Sequence, residues 1–251
     1  MSSSTRILQK IRSICQREYV KIDNWIHDVD HVKGVVRFGR EIAKKEGVDP
    51  FLVEIACWLH DLGRVGEPLG LDFKKSNHAE ISYQMGKKIL APFVEEIGKK
   101  NVEEILLAVR EHSLPKFDKA GKSKIAQILR DADRGMGLRL QGIYTDFNFV
   151  GIIDMGKPQG LKDIKKKLER TKEILKKDSG KRRLAIKRLK ILASWYKGEG
   201  RKSRKGRKGE DFWRVEPLCT ETARKMFGKR YGEIKRYLKE IRNSSLSSIS
   251  Y

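Results

Sequence analysis

Almost every apolar segment of this sequence repeats with the spacing of an α-helix, and none alternates like a half-buried strand. Over residues 28–45, for example, His31, Val35, Phe38 and Ile42 fall on one stripe, and Gly47 ends the segment. Similar stripes recur over residues 51–60, 78–89, 102–112 and 123–133. The sequence therefore predicts an all-α fold whose N-terminal part is a compact helical bundle.

Length and composition set the class of protein. A chain of 251 residues with 39% hydrophobic residues is long enough for one sizeable core or for one domain with an appended region. It contains no apolar run of the roughly 20 residues that a bilayer span needs, and its first residues lack the apolar segment of a secretory signal. The three cysteines, Cys15, Cys57 and Cys219, are widely spaced and form no Cys-x-x-Cys pattern. We expect a cytoplasmic protein with no membrane partner, no disulfide framework and no thiolate metal site.

The positive charge is concentrated in the second part of the chain. Residues 1–150 contain 25 Lys and Arg residues against 21 Asp and Glu residues, whereas residues 151–251 contain 31 against 12. This shift predicts a helical bundle over residues 1–150 and a basic, mainly helical region over residues 151–251.

Within the basic region we expect two basic helices, a flexible loop and a closing helix. The predicted helices cover residues 161–177 and 182–196, and the closing helix covers residues 220–242. The loop, near residues 198–210, is rich in Gly, Lys and Arg and almost free of apolar residues.

The basic region has two open interpretations. The run from Arg201 to Lys208 is flanked by Trp195-Tyr196 and Phe212-Trp213, and basic runs with aromatic residues bind nucleic-acid backbones and stack on bases. The same composition is typical of a solvated lysine-rich surface with a loop anchored at both ends by its aromatic residues. Nucleic acid is therefore a candidate partner of this region.

Polar residues interrupt the apolar stripes at six positions in the N-terminal part. Burying a lone imidazole or carboxylate costs free energy unless a partner satisfies it, and one metal ion can satisfy several at once. Nitrogen and oxygen donors without cysteine suit Mn²⁺, Fe²⁺, Mg²⁺, Co²⁺ or Zn²⁺, and of these we expect Mn²⁺. The six residues are His31, His60, Asp61, His78, His112 and Asp133.

The order of these residues resembles the HD-domain superfamily of metal-dependent phosphohydrolases. The local patterns that carry the resemblance are His-Asp-x-x-His-Val at 27–32, Leu-His-Asp-Leu-Gly-Arg at 59–64, Asn-His-Ala-Glu-Ile-Ser at 77–82, Val-Arg-Glu-His-Ser at 109–113 and Arg-Asp-Ala-Asp-Arg at 130–134. Residues 220–230 also look like the closing helix of small bacterial and archaeal members. The basic stretch 155–215 has no counterpart in the resemblance.

The resemblance implies a role for each residue of the motifs. It implies that His31, His60, Asp61 and Asp133 bind the metal, with Asp61 also orienting the attacking water. His78 and His112 are expected at the catalytic site, where they either bind a second ion or face the substrate phosphate. His27 is expected to cap or support the start of its helix. Glu111 is a further acid–base candidate.

Cations near these motifs are candidates for binding the substrate. Arg64, Lys116 and Arg134 follow His60-Asp61, His112 and Asp133 closely in sequence, and phosphoryl transfer needs positive charge around the phosphorus oxygens. Each of the three is equally compatible with an exposed, solvated side chain.

The resemblance implies a hydrolase that uses a metal-activated water on a phosphate ester or anhydride, with a nucleotide as the expected small substrate. Two alternatives remain at this point. One is a two-metal enzyme, either a cyclic-nucleotide phosphodiesterase or a di-iron oxygenase. The other is a nucleic-acid-binding protein with a vestigial HD site. The sequence leaves the oligomeric state open.

Overall fold

The computed structural model describes residues 2–22, 26–65, 77–114, 121, 123–197 and 218–243. Within those ranges every regular element is helical, so the prediction of an all-α fold is confirmed. The helices are α1 (Ser3–Tyr19), α2 (Val29–Glu46), α3 (Pro50–Leu59), α4 (His78–Leu90), α5 (Val94–Ile97), α6 (Lys99–Glu111), α7 (Lys124–Gly137), α8 (Leu140–Phe149), α9 (Leu161–Lys177), α10 (Ser179–Lys197) and α11 (Glu221–Asn243).

Local sequence signals account for the ends of the helices around the site. The Asp28 carboxylate accepts hydrogen bonds from the first-turn amides of α2, and the Asp49 carboxylate caps α3 immediately before Pro50. Gly47 ends α2 in the left-handed conformation, with a φ of 68°, which glycine adopts without steric cost. Helix α3 is nearly all apolar, and it is buried from Val53 to Leu59.

The contacts divide the chain into two compact units. The first comprises Met1–Asp133 and Leu218–Ala223, and the second comprises Arg134–Pro217 and Arg224–Tyr251. The division falls inside α7 and inside α11. The predicted functional division into residues 1–150 and 151–251 stays a prediction.

The first unit is built around α3. Helices α1, α2 and α6 all pack against α3, and α4 packs against α6. After α3 the chain makes a short 3₁₀ turn, Leu62–Arg64, that lies against α4. The Gly63 amide in this turn donates to the Ser82 hydroxyl of α4 at 2.8 Å. The approach is so close that a Cβ at position 63 would lie 2.2 Å from the His78 carbonyl oxygen, so only glycine fits here.

A buried carboxylate attaches the start of α11 to α7 within the first unit. Asp131 is fully buried, and it accepts hydrogen bonds from the Cys219 amide at 2.6 Å and from the Thr220 amide and hydroxyl at 2.7 and 2.8 Å. The Thr220 hydroxyl in turn accepts from the Ala223 amide. Asp131 thus fixes the segment from which α11 begins.

The second unit packs α8, α9 and α10 together, with the larger part of α11 alongside. The Arg188 guanidinium pairs with the Asp146 carboxylate between α10 and α8. The Tyr237 hydroxyl donates to the Leu168 carbonyl at 2.8 Å, which attaches α11 to α9. No helix among the described residues is both long enough and apolar enough to cross a membrane.

Helix α9 matches its predicted range, while α10 and α11 differ from theirs by up to three residues. The longer helices α1 and α8 and the single-turn helix α5 were not predicted from the sequence. The four-residue spacing of Ile7, Ile11, Cys15 and Tyr19, all buried in α1, is the signal that could have found the first of them. The predicted loop near 198–210 and its flanking Phe212-Trp213 lie outside the described residues.

Candidate metal centre

Helix ends and helix faces of the first unit bring the six predicted polar residues together. His31 lies on α2, and Asp133 lies on α7. His60 and Asp61 directly follow α3, while His78 begins α4 and His112 directly follows α6. His60, Asp61, His78 and His112 are buried, and the side chain of Asp133 is 29% exposed.

Four of these side chains place one donor atom each around a common point. Nε2 of His31 lies 3.3 Å from Oδ1 of Asp133 and 3.9 Å from Oδ2 of Asp61. Nε2 of His60 lies 3.4 Å from the same Asp61 oxygen and 3.9 Å from the same Asp133 oxygen. Each imidazole therefore faces both carboxylates.

A backbone carbonyl orients the His60 ring. Its Nδ1 donates to the Cys57 carbonyl at 2.8 Å, one of the last carbonyls of α3, which have no partner within the helix. That bond assigns a proton to Nδ1 and turns Nε2 toward the carboxylates. The Nε2 atoms of His31 and His60 are both buried and make no hydrogen bond.

The four donors fit a divalent metal ion. Two imidazole nitrogens and two carboxylate oxygens are the ligand types that Mn²⁺, Fe²⁺ and Zn²⁺ accept. With metal–ligand bonds of about 2.1 Å, neighbouring ligands of an octahedral or tetrahedral site lie about 3.0–3.5 Å apart. The observed 3.3–3.9 Å is close to this range. A metal would also coordinate the two buried imidazole nitrogens, which face the carboxylates but make no hydrogen bond.

The second Asp61 oxygen faces a different group of side chains. Oδ1 lies 3.5 Å from Nε2 of His112 and 3.6 Å from Nε2 of His78. The His112 ring is oriented as His60 is, because its Nδ1 donates to the Val109 carbonyl at 2.7 Å. Asp61, His78 and His112 therefore form a second cluster that could hold a metal ion.

The Arg64 guanidinium lies beside this second cluster. It is buried, its Nε donates to Oδ1 of Asp61 at 3.0 Å, and one terminal nitrogen lies 3.2 Å from Nε2 of His78. The 3₁₀ turn after Asp61 causes this placement, because it returns the Arg64 side chain toward Asp61. A fixed positive charge therefore lies beside two of the three members of the second cluster, Asp61 and His78.

The contacts of two residues near Asp61, His27 and Tyr19, were not predicted from the sequence. His27 does not cap α2, since Asp28 does so; instead its Nδ1 lies 3.0 Å from Oδ2 of Asp61. Tyr19 was not singled out, yet its hydroxyl donates to the Trp58 carbonyl at 3.0 Å and accepts from the Asp61 amide at 3.3 Å. His27 thus contacts the Asp61 carboxylate and Tyr19 contacts the Asp61 backbone.

The charged groups of the cluster shift the pKa values of its histidines in opposite directions. Burial disfavours a charged His60, but the Asp61 and Asp133 carboxylates outweigh it and raise the pKa of His60 to about 9. Burial and the Arg64 guanidinium lower the pKa of His78 to about 2 and that of His27 to about 4. Despite burial, Arg64 and His60 hold the pKa of Asp61 well below its usual range. Without a metal, His60 thus carries the positive charge at neutral pH, while His27 and His78 are neutral.

The remaining predicted residues are placed as follows. Arg64 is inside the site rather than solvated. Arg134 is buried and directly follows Asp133 on α7, and Glu111 is buried directly before His112. Lys116 lies outside the described residues.

A model of a known domain family matches the segment that contains this cluster. Residues 28–134, which include every one of the six predicted polar residues, match the family model of the HD domain. These residues form an HD domain, the domain of the metal-dependent phosphohydrolases that the sequence resembles.

One curated relative is the uncharacterized protein YpgQ of Bacillus subtilis. It is 28% identical over 128 residues, which make up 50% of this chain and 58% of YpgQ, so the match spans little more than half the length of that relative.

Solved structures share the fold over nearly the whole chain. YpgQ in complex with ADP has a TM-score of 0.54 at 17% identity and covers 96% of each chain. A predicted HD superfamily hydrolase from an uncultured Thermotogales bacterium has a TM-score of 0.52 at 23% identity, covering 94% of this chain and 91% of its own. A Lactobacillus plantarum protein has a TM-score of 0.58 at 18% identity, covering 98% and 99%.

Proposed function

We propose that this chain is a metal-dependent phosphohydrolase that acts on a phosphate ester or anhydride of a nucleotide. The observation that carries the proposal is the pair of buried imidazole nitrogens, on His31 and His60, that make no hydrogen bond and face the carboxylates of Asp61 and Asp133. Hydrolysis at phosphorus is the chemistry associated with the HD domain found at residues 28–134.

In this proposal His31, His60, Asp61 and Asp133 hold the metal, for which Mn²⁺ is the preferred candidate. A divalent ion held there supplies a Lewis acid that lowers the pKa of water and neutralises charge on a phosphoryl group. His27 and Tyr19 act as positioning residues, because each contacts Asp61 and fixes its orientation.

The other polar residues of the site act on the substrate. Asp61 accepts a hydrogen bond from the attacking water and so orients it. The Arg64 guanidinium offers donors and positive charge to the phosphoryl oxygens, where negative charge develops during transfer. The Nε2 atoms of His78 and His112 lie 3.4 Å apart beside Arg64, and we propose that both rings line the side of the site that receives the substrate phosphate. Arg134 and Lys116 are further candidates for binding the substrate phosphates.

A nucleotide is proposed because of one relative. YpgQ, which shares the fold, has been solved in complex with ADP. A nucleoside phosphate also provides the ester and anhydride bonds that the site would cleave.

We propose that one metal is bound rather than two. The second cluster has three ligand atoms, but the Arg64 guanidinium lies 3.0 Å from Asp61 and 3.2 Å from His78. A second cation beside that guanidinium would be strongly repelled at this burial. The two-metal enzyme remains the second candidate, because the Asp61, His78 and His112 donors lie close enough to one another to bind an ion.

A nucleotide panel tests the proposal. Purified protein, freed of metal with a chelator and reloaded with Mn²⁺ or Mg²⁺, is assayed for release of phosphate or pyrophosphate from nucleoside mono-, di- and triphosphates. Hydrolysis of at least one nucleotide is expected, with complete loss in the His60→Ala plus Asp61→Ala variant. Glu103→Ala, on the exposed face of α6, is the matched control. The absence of hydrolysis with every divalent ion, or unchanged hydrolysis in the double variant, would overturn the proposal and favour a vestigial site.

A further inference from the structure

A cleft in the second unit carries positive charge that the proposed hydrolytic site does not use. The cleft has a volume of about 490 Å³ and lies where α8 and α9 begin and α11 passes. Arg139, Lys165, Lys229 and Arg230 line it against a single acidic residue, Glu233. Four cations around one cleft favour an anionic ligand.

The positive charge continues along α11 beyond the cleft. Lys235, Arg236 and Lys239 line an adjoining groove on the next turns of that helix. Together with Lys229 they are exposed, and the stretch from Lys229 to Lys239 is about 15 Å long at the rise of an α-helix. One strand of a duplex places four to five phosphates over about that length.

Acidic residues of this unit cannot neutralise the charge. Residues 134–197 and 224–243 contain 26 Lys and Arg residues and 8 Asp and Glu residues. Over these residues the cations therefore outnumber the acidic residues by 18. Stability alone does not require such an excess, because like charges repel one another in the folded state.

The chemistry of the surface discriminates between anionic partners. A membrane-binding face needs apolar side chains that enter the lipid, but the described part of α9 and α11 exposes one large apolar residue, Leu161. Single-stranded nucleic acid is typically held by base stacking on aromatic side chains. The aromatic residues of α11, Phe227, Tyr231 and Tyr237, are all buried, and α9 has none.

We propose that the cleft and the adjoining basic face of α11 bind the phosphate backbone of duplex nucleic acid without reading its sequence. The phosphate backbone of a duplex is bound mainly through its charge, and this surface has cations but, among its described residues, no exposed aromatic side chain on which a base could stack. The residues of this surface all belong to the second unit, and none of them belongs to the proposed metal site.

Fluorescence anisotropy with the full chain tests the proposal. The probe is a labelled DNA duplex of about 20 base pairs, titrated over about 50–200 mM salt. One variant replaces Lys165, Lys229, Arg236 and Lys239 with Gln. The matched control replaces Lys177, Lys181, Arg183 and Lys190 with Gln, which removes the same charge from exposed positions at the far end of α9 and on α10. Circular dichroism checks that both variants are folded.

The expected result is binding of the duplex with affinity that falls steeply with salt. The cleft variant should bind at least about 10-fold more weakly at about 100 mM salt, with a salt slope reduced by about two or more. The control should change the affinity less than about threefold. Equal weakening in both variants, no binding of the duplex, stronger binding of the single strand or of phosphatidylserine vesicles, or displacement of the duplex by ADP would each overturn the proposal.

Discussion

The Arg64 guanidinium donates through Nε to Oδ1 of Asp61 at 3.0 Å, on the opposite carboxylate oxygen from the one that faces His31 and His60. One carboxylate therefore separates a cluster suited to a metal ion from an arginine. On the proposed function, this relationship is the reason to expect one metal ion rather than two among the five nearby histidines.

The first prediction concerns the number of metal ions. Replacing Arg64 with Ala removes the guanidinium from Asp61 and His78, so the second cluster becomes able to bind a cation. Native mass spectrometry at saturating Mn²⁺ should detect one ion in the wild-type protein and two in Arg64→Ala. Arg110→Ala, an exposed arginine paired with Glu80, should leave the number at one. Two ions in the wild-type protein would refute the proposed role of Arg64.

The second prediction concerns the hydroxyl of Tyr19. Tyr19→Phe leaves the Trp58 carbonyl and the Asp61 amide without this partner, which should lower the free energy of unfolding by about 1–2 kcal/mol. It should also weaken Mn²⁺ binding, because Asp61 is less firmly held. Urea unfolding measures the free energy of unfolding, and calorimetric titration measures the affinity for Mn²⁺.

Tyr144→Phe is the matched control for Tyr19. Tyr144 is equally buried in the second unit, and its hydroxyl donates to the Gly156 carbonyl at 2.8 Å. Its loss should lower the stability without changing the metal affinity. Equal effects of the two variants on metal affinity would show that Tyr19 does not position Asp61.

The third prediction concerns Gly63. A Cβ at this position would lie 2.2 Å from the His78 carbonyl oxygen and 2.8 Å from Cβ of Ile81, so Gly63→Ala must push the 3₁₀ turn away from α4. We expect a loss of about 2 kcal/mol or more in stability. Gly232→Ala, where a Cβ meets nothing within 4 Å, should not lower it. A Gly63→Ala protein with wild-type stability would contradict the packing described for this turn.

The extent to which the sequence predicted these features depends on how local each feature is. Helix α9 has a clear stripe over residues 161–177 and was predicted to the residue, because periodicity is a local property. The contacts of Asp61 with His27 and Tyr19 join residues 34 and 42 positions apart, and they depend on how α1 and α2 pack against α3. No local pattern encodes them.

The orientation of the His60 and His112 rings depends on a local sequence signal and also on where each helix ends. His60 and His112 each occupy the position directly after a helix, where a carbonyl three residues earlier lacks a helical partner and accepts from Nδ1. The predicted helices end one residue too late, at His60 and at His112. Because each histidine then counts as part of its helix, the hydrogen bond from its Nδ1 to a carbonyl at the helix end could not be predicted.

The fourth prediction concerns pH. The folded-state pKa of His60, about 9, exceeds the ordinary value of 6.5, so the folded metal-free protein keeps a proton that the unfolded chain loses. The stability that this proton contributes is complete below pH 6.5 and is lost as the pH rises to about 9, with an upper bound of about 3 kcal/mol.

Urea unfolding with a chelator, at a series of pH values, measures this loss. In the His60→Gln variant the decline between pH 6.5 and 9 should be much smaller. The same slope in the variant and the wild-type protein would assign the decline to other groups.

Calorimetric titration of the metal-free protein with Mn²⁺ tests whether His31, His60, Asp61 and Asp133 bind a metal ion. We expect one binding site per chain, with affinity reduced at least about 100-fold by His31→Ala, His60→Ala or Asp133→Ala, because each removes a proposed ligand. His27→Ala should weaken binding by about 10-fold, since His27 acts only through Asp61. Unchanged affinity in the His60→Ala and Asp133→Ala variants would contradict the assignment of this cluster as the metal site.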